Sequence, residues 1–263
     1  MKDEVIDLLD IKSKGIYMDC TIGFGGHSLN ILEKLEPDGQ LIGIDLDPYA
    51  LKKTKEKLKK HNNISLHNNS YSAFPQILEK MGIEKVDGFL FDLGISSYQV
   101  DSKHRGFSYR YNSTLNMKFD NNASMTAKKY LNEIDRAELL EILQIYGQVK
   151  YAKRISESII KQRKKGLMNT TFDLKNSIIK IKNNNQLLSQ VFQSIRIGVN
   201  DEINILKNTL LKISDYLKIG GKIAIITFHS IEDRIVKHFF KDSCIVSCTN
   251  YYKKEAYIDS KYK

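Results

Sequence analysis

The sequence has few of the residues that stabilise secreted or membrane-spanning proteins. Its 263 residues include three cysteines, three prolines and no tryptophan. The cysteines show no paired pattern, which is typical of a reducing compartment. Cys244 and Cys248 are not followed by a second ligand pair, so we expect structural cysteines and no metal site. The chain also lacks an apolar run of about 18 residues and a signal-peptide core, so nothing indicates a membrane or secretion.

Acidic residues are outnumbered, and the basic excess indicates a polyanionic partner. The chain has 41 lysines and arginines against 31 aspartates and glutamates, a formal net charge of +10. Nucleic acid is the partner that such a balance favours. The lysines within 52–60 are spaced as the solvated face of a helix. A second basic run is the better candidate for RNA binding, with a solvated helix end as the alternative; it contains Lys150, Lys153, Arg154, Lys161, Arg163, Lys164 and Lys165.

Apolar runs of strand length alternate with helical patterns in the first part of the chain. Strands are predicted at 15–20, 40–45, 64–67 and 86–92, with a fifth at 222–228. Helices such as 29–35 and 48–60 lie between or beside them. This alternation predicts an α/β fold with a doubly wound parallel sheet.

Between the fourth and fifth strands, the strand pattern gives way to helical periodicity. The predicted helices are 127–131, 136–146, 151–162 and 171–182, and the polar run at 182–186 is interpreted as a loop. We therefore expect a helical insertion. The resulting domain prediction is a core of residues 1–101, an insertion of residues 102–196 that recognises RNA, and the rest of the core in residues 197–263.

A glycine-rich turn follows the first strand. Gly23, Gly25 and Gly26 can adopt positive φ and let the backbone approach a ligand closely. Asp45 ends the second strand, where its carboxylate can accept hydrogen bonds from ribose hydroxyls. This arrangement predicts a site for an adenosine-type cofactor, with a purely structural turn as the alternative.

The details of the turn favour one cofactor over others. A phosphate-binding P-loop would need a lysine, and the Gly25-Gly26-His27-Ser28 segment has none. A dinucleotide fingerprint would need a third glycine where Ser28 stands. S-adenosylmethionine fits better because it has no pyrophosphate to hold.

Polar residues follow two further strands, at the edge of the sheet where α/β proteins bind ligands. Asp92 ends the fourth strand, and a carboxylate in that position needs a partner. His229 and Asp233 follow the fifth strand. A polar and aromatic loop, residues 105–120, leads into the predicted insertion.

Several blocks together resemble the signature segments of the bacterial small-subunit ribosomal RNA (cytidine-N4-)methyltransferase H family, also called MraW-like. The similarity is colinear over residues 5–240. The blocks are Gly25-Gly26-His27-Ser28, Asp87-Gly88, Asp92-Leu93-Gly94-Ile95-Ser96-Ser97, Arg105-Gly106-Phe107-Ser108, 192–202 and 228–237.

The resemblance implies a class I, Rossmann-like, S-adenosylmethionine-dependent methyltransferase with a helical insertion between strands 4 and 5. Its implied activity is methyl transfer to the exocyclic N4 of a cytidine in the decoding centre (P site) of the small-subunit rRNA. The implied cofactor residues are Gly25, Gly26 and His27 in the loop, Asp45 at the ribose, Tyr71 beside the adenine, Asp92, and Gln99. Two of these have structural alternatives, because His27 could cap a helix and Tyr71 could fill the core.

The catalytic group is less defined. Cytosine N4 is a poor nucleophile because its lone pair is delocalised, so the site must accept an N4 hydrogen bond and align the amine. Amino-methyltransferases of other families carry an Asn/Asp-Pro-Pro-aromatic turn after the fourth strand, which this chain lacks. The catalytic candidates are Asp92, Ser96, and His229 or Asp233. The last two could form a general-base pair, or His229 could be structural.

The chain departs from the family pattern in positions that concern RNA more than cofactor. It lacks the family's early histidine-containing segment and its basic C-terminal tail, and Phe24 stands where arginine is usual. We expect weaker phosphate contacts as a result. A catalytically weak ribosome assembly factor is therefore kept as an alternative function. A nucleotide-dependent oxidoreductase is a further alternative, although Ser28 in place of a third loop glycine argues against it. The expected partner is small-subunit rRNA or the subunit itself, with a homodimer as an option, in bacterial cytoplasm or in an organelle of bacterial origin.

Overall fold

The computed structural model describes the backbone of residues 2–248 and the side chains of residues 3–242. Cys244 and Cys248 therefore lie outside the described side chains. The chain forms two compact units. One contains the residues up to 94 together with those from 204 onward, and the other contains residues 95–203. The second unit begins before the predicted insertion and ends after it. No helix in the described part has the length and apolar character needed to cross a membrane.

The first unit is built on a five-stranded parallel sheet in the order β3-β2-β1-β4-β5. This confirms the predicted α/β class. The strands are β1 (Ile16–Asp19), β2 (Gln40–Asp45), β3 (Ile64–Asn68), β4 (Val86–Asp92) and β5 (Leu217–Ile226).

Strand β5 begins earlier than the sequence predicted. Its first half is largely exposed, with Ile219 fully so, and Gly220 has φ +78°. The register against β4 shifts between Val86 and Gly88. Because the first half of β5 lacks an apolar face and pairs across this irregularity, its sequence carries no strand signal.

The helices follow in chain order. They are α1 (Lys2–Leu9), α2 (Gly26–Lys34), α3 (Pro48–Lys57), α4 (Phe74–Lys80), α5 (Ser97–Asp101), α6 (Ala127–Glu133), α7 (Arg136–Ile145), α8 (Ala152–Arg163), α9 (Thr171–Ile179), α10 (Asn185–Asn200), α11 (Glu202–Ile213) and α12 (Ser230–Cys248). Short 3-10 turns occur at Tyr71–Ala73 and Ser214–Tyr216.

The sheet is covered on both faces. Alternate residues of a strand belong to different apolar clusters: Met18 and Phe89 pack in one, and Tyr17 and Leu90 in the other. Successive side chains of a strand point to opposite faces, so both faces of the sheet are buried. This explains why the central strands are continuous apolar runs.

The second unit is helical, with one isolated bridge between Thr114 and Thr170 in its described residues. Several of its helices begin at polar caps, among them Asp135, Thr170 and Asn184, whose side chains accept hydrogen bonds from backbone N–H groups. Such caps satisfy the free amides of a first turn. Asn184 starts α10, so the predicted loop at 182–186 ends there and a long helix follows it.

Asp87 joins the start of three strands, at the edge of the sheet opposite the glycine turn. Its Oδ2 accepts the Ile16 amide at 2.9 Å and Lys218 Nζ at 2.7 Å, and Lys12 Nζ lies 3.6 Å from Oδ1. Burial opposes ionisation of Asp87, but these hydrogen bonds and charges outweigh it and lower the carboxyl pKa. Asp87 therefore stabilises the sheet in its ionised form.

We expect Asp87→Asn to lower the free energy of unfolding by about 1–3 kcal/mol at neutral pH, because a charged acceptor is lost from buried partners. The lowered pKa sets the pH dependence. Stabilisation by Asp87 is complete above its unfolded pKa near 3.8 and disappears as the pH falls through the folded pKa. Urea unfolding measures both effects. Asp38→Asn is the control because the Asp38 side chain is 76% exposed in its pair with Lys14; equal losses in the two variants would contradict the assignment.

Candidate functional site

The glycine-rich turn lies between β1 and α2 and is tied to the neighbouring strands. The Cys20 amide donates to Leu90 O at 2.8 Å, and the Ile22 amide donates to Ile44 O at 3.0 Å. Gly23 and Gly25 have φ of +50° and +68°, and a Cβ on Gly25 would come within 3.0 Å of Thr54 Cγ2. Glycine at position 25 thus meets both a conformational and a steric requirement.

Helix α3 holds the carbonyl groups of this turn. Thr54 Oγ1 donates to Gly23 O at 2.6 Å, and Lys57 Nζ lies 3.1 Å from Gly25 O and 3.3 Å from Phe24 O. The helix begins with Asp47 as its N-cap and a proline in its first turn. Lys57 is therefore more than a solvated lysine, since it orders the turn.

Asp45, at the carboxyl end of β2, holds the amides on the other side. Its Oδ2 accepts the Gly23 amide and its Oδ1 accepts the Asp47 amide, each at 2.8 Å. Burial raises the carboxyl pKa, and the two amide bonds oppose that rise. Each carboxylate oxygen has a second lone pair, so Asp45 can still accept a hydrogen bond from a hydroxyl group of a ligand.

Asp19 is a member of the site that the sequence analysis missed. It ends β1 and is 2% exposed, and its Oδ2 accepts a hydrogen bond from Ser28 Oγ at 2.6 Å. Burial raises its pKa to about 7, while the Ser28 bond lowers the pKa and the charges of Asp92 and Asp45 raise it further. Ser28 occupies the position where a dinucleotide fingerprint has its third glycine, and its hydroxyl donates a hydrogen bond to this buried acid. The sequence signal that could have identified Asp19 is an acid at the end of β1 followed by a serine nine positions later.

Asp92 lies at the carboxyl end of β4, as predicted. Its amide donates to Thr21 Oγ1 at 2.6 Å, and His27 Nε2 lies 3.8 Å from its Oδ2. Oδ1 is buried without a hydrogen-bond partner among the described residues. Burial raises the pKa of Asp92, opposed by the nearby His27. The structure thus brings Asp92 and His27 together beside the turn.

The capping alternative for His27 is not what the structure has. The N-cap of α2 is Gly25, in a left-handed conformation and with no side-chain capping bond. Gly26 is the first residue of the helix. His27 sits in that first turn, with its ring close to Asp92.

Tyr71 follows β3, at the same edge of the sheet. Its ring packs edge-to-face against Phe91, with centroids 5.6 Å apart, and it is partly buried against the core. Both interpretations of Tyr71 therefore find support, because one side of the ring completes the core while the residue stands at the ligand-binding edge. Its contact with adenine stays a prediction.

Ser96 and Gln99 belong to the second unit and form the capping box of α5. The Gln99 amide donates to Ser96 Oγ at 3.2 Å, and the Ser96 amide donates to Gln99 Oε1 at 3.0 Å. This reciprocal pair satisfies two free amides at the start of the helix. Both side chains thus have a local structural role, and their functional roles stay predictions.

His229 is paired with a carboxylate, but a different one from that expected. Its Nε2 lies 3.1 Å from Glu232 Oε1, and both side chains are nearly buried. The other oxygen of Glu232 accepts the Phe228 amide at 2.9 Å. Asp233 points elsewhere and forms a half-exposed ion pair with Lys237 at 2.8 Å. The side chains of His229 and Asp233 are therefore not brought together, and Glu232 is the second residue that the sequence analysis missed.

Three carboxylates, Asp19, Asp45 and Asp92, surround the turn, and His27 Nε2 lies 3.8 Å from Asp92. Burial raises the pKa of each carboxyl. Such a cluster suits a ligand that carries positive charge and hydroxyl groups. No cluster of three or more possible metal ligands occurs among the described side chains.

Comparison with known proteins identifies relatives over most of the chain. The model of the MraW methylase family matches residues 1–253. A protein of Caldicellulosiruptor saccharolyticus named ribosomal RNA small subunit methyltransferase H is 44% identical over 243 residues, covering 91% of this chain and 79% of that protein. Proteins with the same name from Clostridium botulinum and Halothermothrix orenii are 43% and 42% identical over 246 residues, with the same coverage.

Asp19 should make the stability of the protein fall as the pH rises. Its folded pKa of about 7 exceeds the ordinary value of 3.8, so its contribution to stability is complete below about pH 4 and is lost as the pH passes 7. Between these limits, Asp19→Asn should gain on the order of 4 kcal/mol relative to the unmodified protein. Denaturant unfolding across this range measures the difference.

Ser28→Ala provides the matched variant for this prediction. Removing the hydroxyl takes away a bond that lowers the Asp19 pKa, so the loss of stability should extend to higher pH. Parallel stability curves for the unmodified protein and Asp19→Asn would show that Asp19 does not titrate in this way.

Proposed function

The chain belongs to the MraW methylase family, and on that premise we propose that it transfers a methyl group from S-adenosylmethionine to the exocyclic N4 of a cytidine in the decoding centre of small-subunit rRNA. The observation that carries this proposal is Asp92, a carboxylate that is 35% exposed and stands beside the glycine-rich turn. An amine can donate a hydrogen bond to the exposed part of this carboxylate.

The turn and its acids fit the cofactor. The backbone is open at Gly23, where an added Cβ would meet only Thr21 O at 3.9 Å, and Asp45 retains lone pairs for the ribose hydroxyls. The positive sulfonium and ammonium groups suit a site in which burial has raised the pKa of Asp19 and Asp92. Tyr71 stands where it can contact the adenine. When bound, S-adenosylmethionine supplies an electrophilic methyl group on a positively charged sulfur.

The protein must orient the amine and take up its proton. A bond forms between N4 and the methyl carbon while the carbon–sulfur bond breaks and its electron pair stays on sulfur, and N4 then loses a proton. The exposed part of the Asp92 carboxylate accepts the hydrogen bond from N4 that aligns the amine, and the raised pKa of this carboxyl makes it a better proton acceptor. Positioning of this kind supplies much of the rate enhancement.

The alternative functions have less support. A nucleotide-dependent oxidoreductase would need a glycine where Ser28 is buried against Asp19. A ribosome assembly factor with little catalysis would bind the cofactor without turnover, which the experiment below distinguishes. The coarser conclusion, an RNA substrate, follows from the family; a homodimer and a cytoplasmic location stay predictions.

Asp92→Asn should lower methyl transfer by about 100-fold or more, since a positioned proton acceptor is worth about that factor. Affinity for S-adenosylmethionine should change far less. The measurement is transfer of radiolabelled methyl groups to immature small subunits, followed by mapping of the modified base. Asp215→Asn, an exposed residue in a 3-10 turn, should retain normal turnover. A native rate in Asp92→Asn would move the acceptor to His229.

We further propose that the helical unit binds rRNA, with a smaller set of basic residues than the basic run contains. Arg163 Nη1 donates to Leu131 O at 3.0 Å and to Ile134 O at 2.6 Å, and so caps the end of α6. Arg105 Nη2 donates to Lys118 O and Phe119 O within its own loop. Both arginines have structural roles and are removed from the phosphate-binding set.

Three lysines of the basic run line a hollow of about 370 Å³ between α7 and α8. It is lined by Arg136, Glu157, Ile160, Lys161, Lys164 and Lys165. Arg136 pairs with Glu157 and offsets its charge. The lysines are exposed. This basic hollow fits the phosphate groups of an RNA strand.

Replacing Lys161, Lys164 and Lys165 together with glutamine should weaken binding to small subunits and leave cofactor affinity unchanged. Each lost phosphate contact reduces the dependence of log affinity on log salt by about 0.7 to 0.9, so the slope should fall by about 2. The measurement is subunit affinity across a range of salt concentrations. The control removes the same charge by changing three other exposed lysines, Lys52 and Lys55 on α3 and Lys59 in the turn after it. Equal effects of the two triple variants would exclude a specific contact at the basic hollow.

A further inference from the structure

Phe228 is an aromatic residue placed in solvent at the ligand-binding edge of the first unit. Its side chain is 62% exposed, more than any other large aromatic among the described residues. It lies two positions after the end of β5, the strand that pairs with β4. Ligands of parallel sheets bind outside the carboxyl ends of the strands, and Phe228 lies at that edge.

The position of Phe228 is fixed by bonds on both sides. Its amide donates to Glu232 Oε2 at 2.9 Å, and Glu232 also pairs with His229. The end of β5 is joined to the chain after β4, because the Leu93 amide donates to Ile226 O at 3.0 Å. An exposed ring on an ordered backbone loses little entropy when it binds a flat partner.

Gly94 makes room for this ring. It has φ +94°, and a Cβ built on it would lie 3.3 Å from Phe228 Cδ2 and 3.7 Å from Cγ. Any other residue would be strained here and would crowd the ring. The edge of the ring thus lies against the backbone that follows Asp92, the proposed acceptor for N4.

We infer that Phe228 is the stacking platform for the target cytosine ring. The inference rests on the proposed function. A base that is modified must leave its stack, and enzymes hold such a base between aromatic or apolar side chains. Leu93 and Gly94, directly after β4, provide no aromatic ring. Phe228 provides one beside them, and its packing against Gly94 holds the cytosine near Asp92.

The kinetic test compares three substitutions in the full chain. Base stacking on an aromatic ring contributes enough that Phe228→Ala should lower kcat/KM for small subunits by about 10-fold or more. Phe228→Leu keeps apolar bulk without an aromatic face and should be similarly impaired. Phe228→Tyr should retain activity within about 3-fold. Leu211→Ala is the control, because Leu211 is 78% exposed on α11. Cofactor affinity should be unchanged in all four.

A fluorescent variant reports stacking directly. The chain contains no tryptophan, so Phe228→Trp emits from position 228 alone. With S-adenosylhomocysteine present, binding of a single-stranded decoding-region RNA should quench this emission. The same RNA with an abasic site at the target cytidine should bind with little quenching. Leu211→Trp should show no difference between the two RNAs.

The outcomes separate the inference from the proposed function. If the unmodified protein does not methylate subunits, the proposed function fails. If it does, while Phe228→Ala or Phe228→Leu is as active as the unmodified protein, the stacking role of Phe228 is wrong. Equal quenching by the two RNAs would also overturn it.

Discussion

The carboxyl end of β4 is hydrogen-bonded on both sides, and the candidate site depends on this arrangement. On one side, the turn after β1 bonds to it through the Cys20 amide and through Thr21 Oγ1. On the other side, the Leu93 amide reaches the end of β5. Because these are short bonds between ordered strands, the glycine-rich turn, Asp92 and the Phe228 segment keep fixed positions within the first unit. Catalysis by alignment requires this rigidity.

The buried carboxylates of the site determine which ligand charge it favours. Buried carboxylates are costly unless they are hydrogen-bonded. Asp19 and Asp45 meet that requirement with Ser28 and with backbone amides of the turn. These bonds do not bring a compensating positive charge. The site therefore favours a cationic ligand. An uncharged polar ligand is attracted less strongly by these carboxylates.

Much of this arrangement follows from local sequence pattern, and the remainder depends on tertiary contacts. Strands β1 to β4 are apolar runs ended by turn residues, so Asp45 and Asp92 could be assigned to strand ends. The start of β5 could not, since Lys218 to Lys222 break the apolar pattern and only pairing with β4 makes them a strand. Spacing offered Asp233 as one possible partner of His229, with a structural histidine as the alternative. In the structure the position of each side chain on α12 places Glu232, one residue earlier, beside His229.

The separation of β4 and β5 along the chain has a consequence for folding. Asp87 and Lys218, which are bonded across these strands, are 131 positions apart. A nascent chain can pair β1, β2 and β3 early, but β4 keeps an open edge until the helical unit has been synthesised. Contacts over such a distance form slowly, and an open apolar strand edge can pair with other chains. Residues 95–203 have their own apolar core. If they become compact before β5 pairs, the effective distance between the two strands is shortened, and the helical unit then assists the folding of the sheet whose strands flank it in sequence.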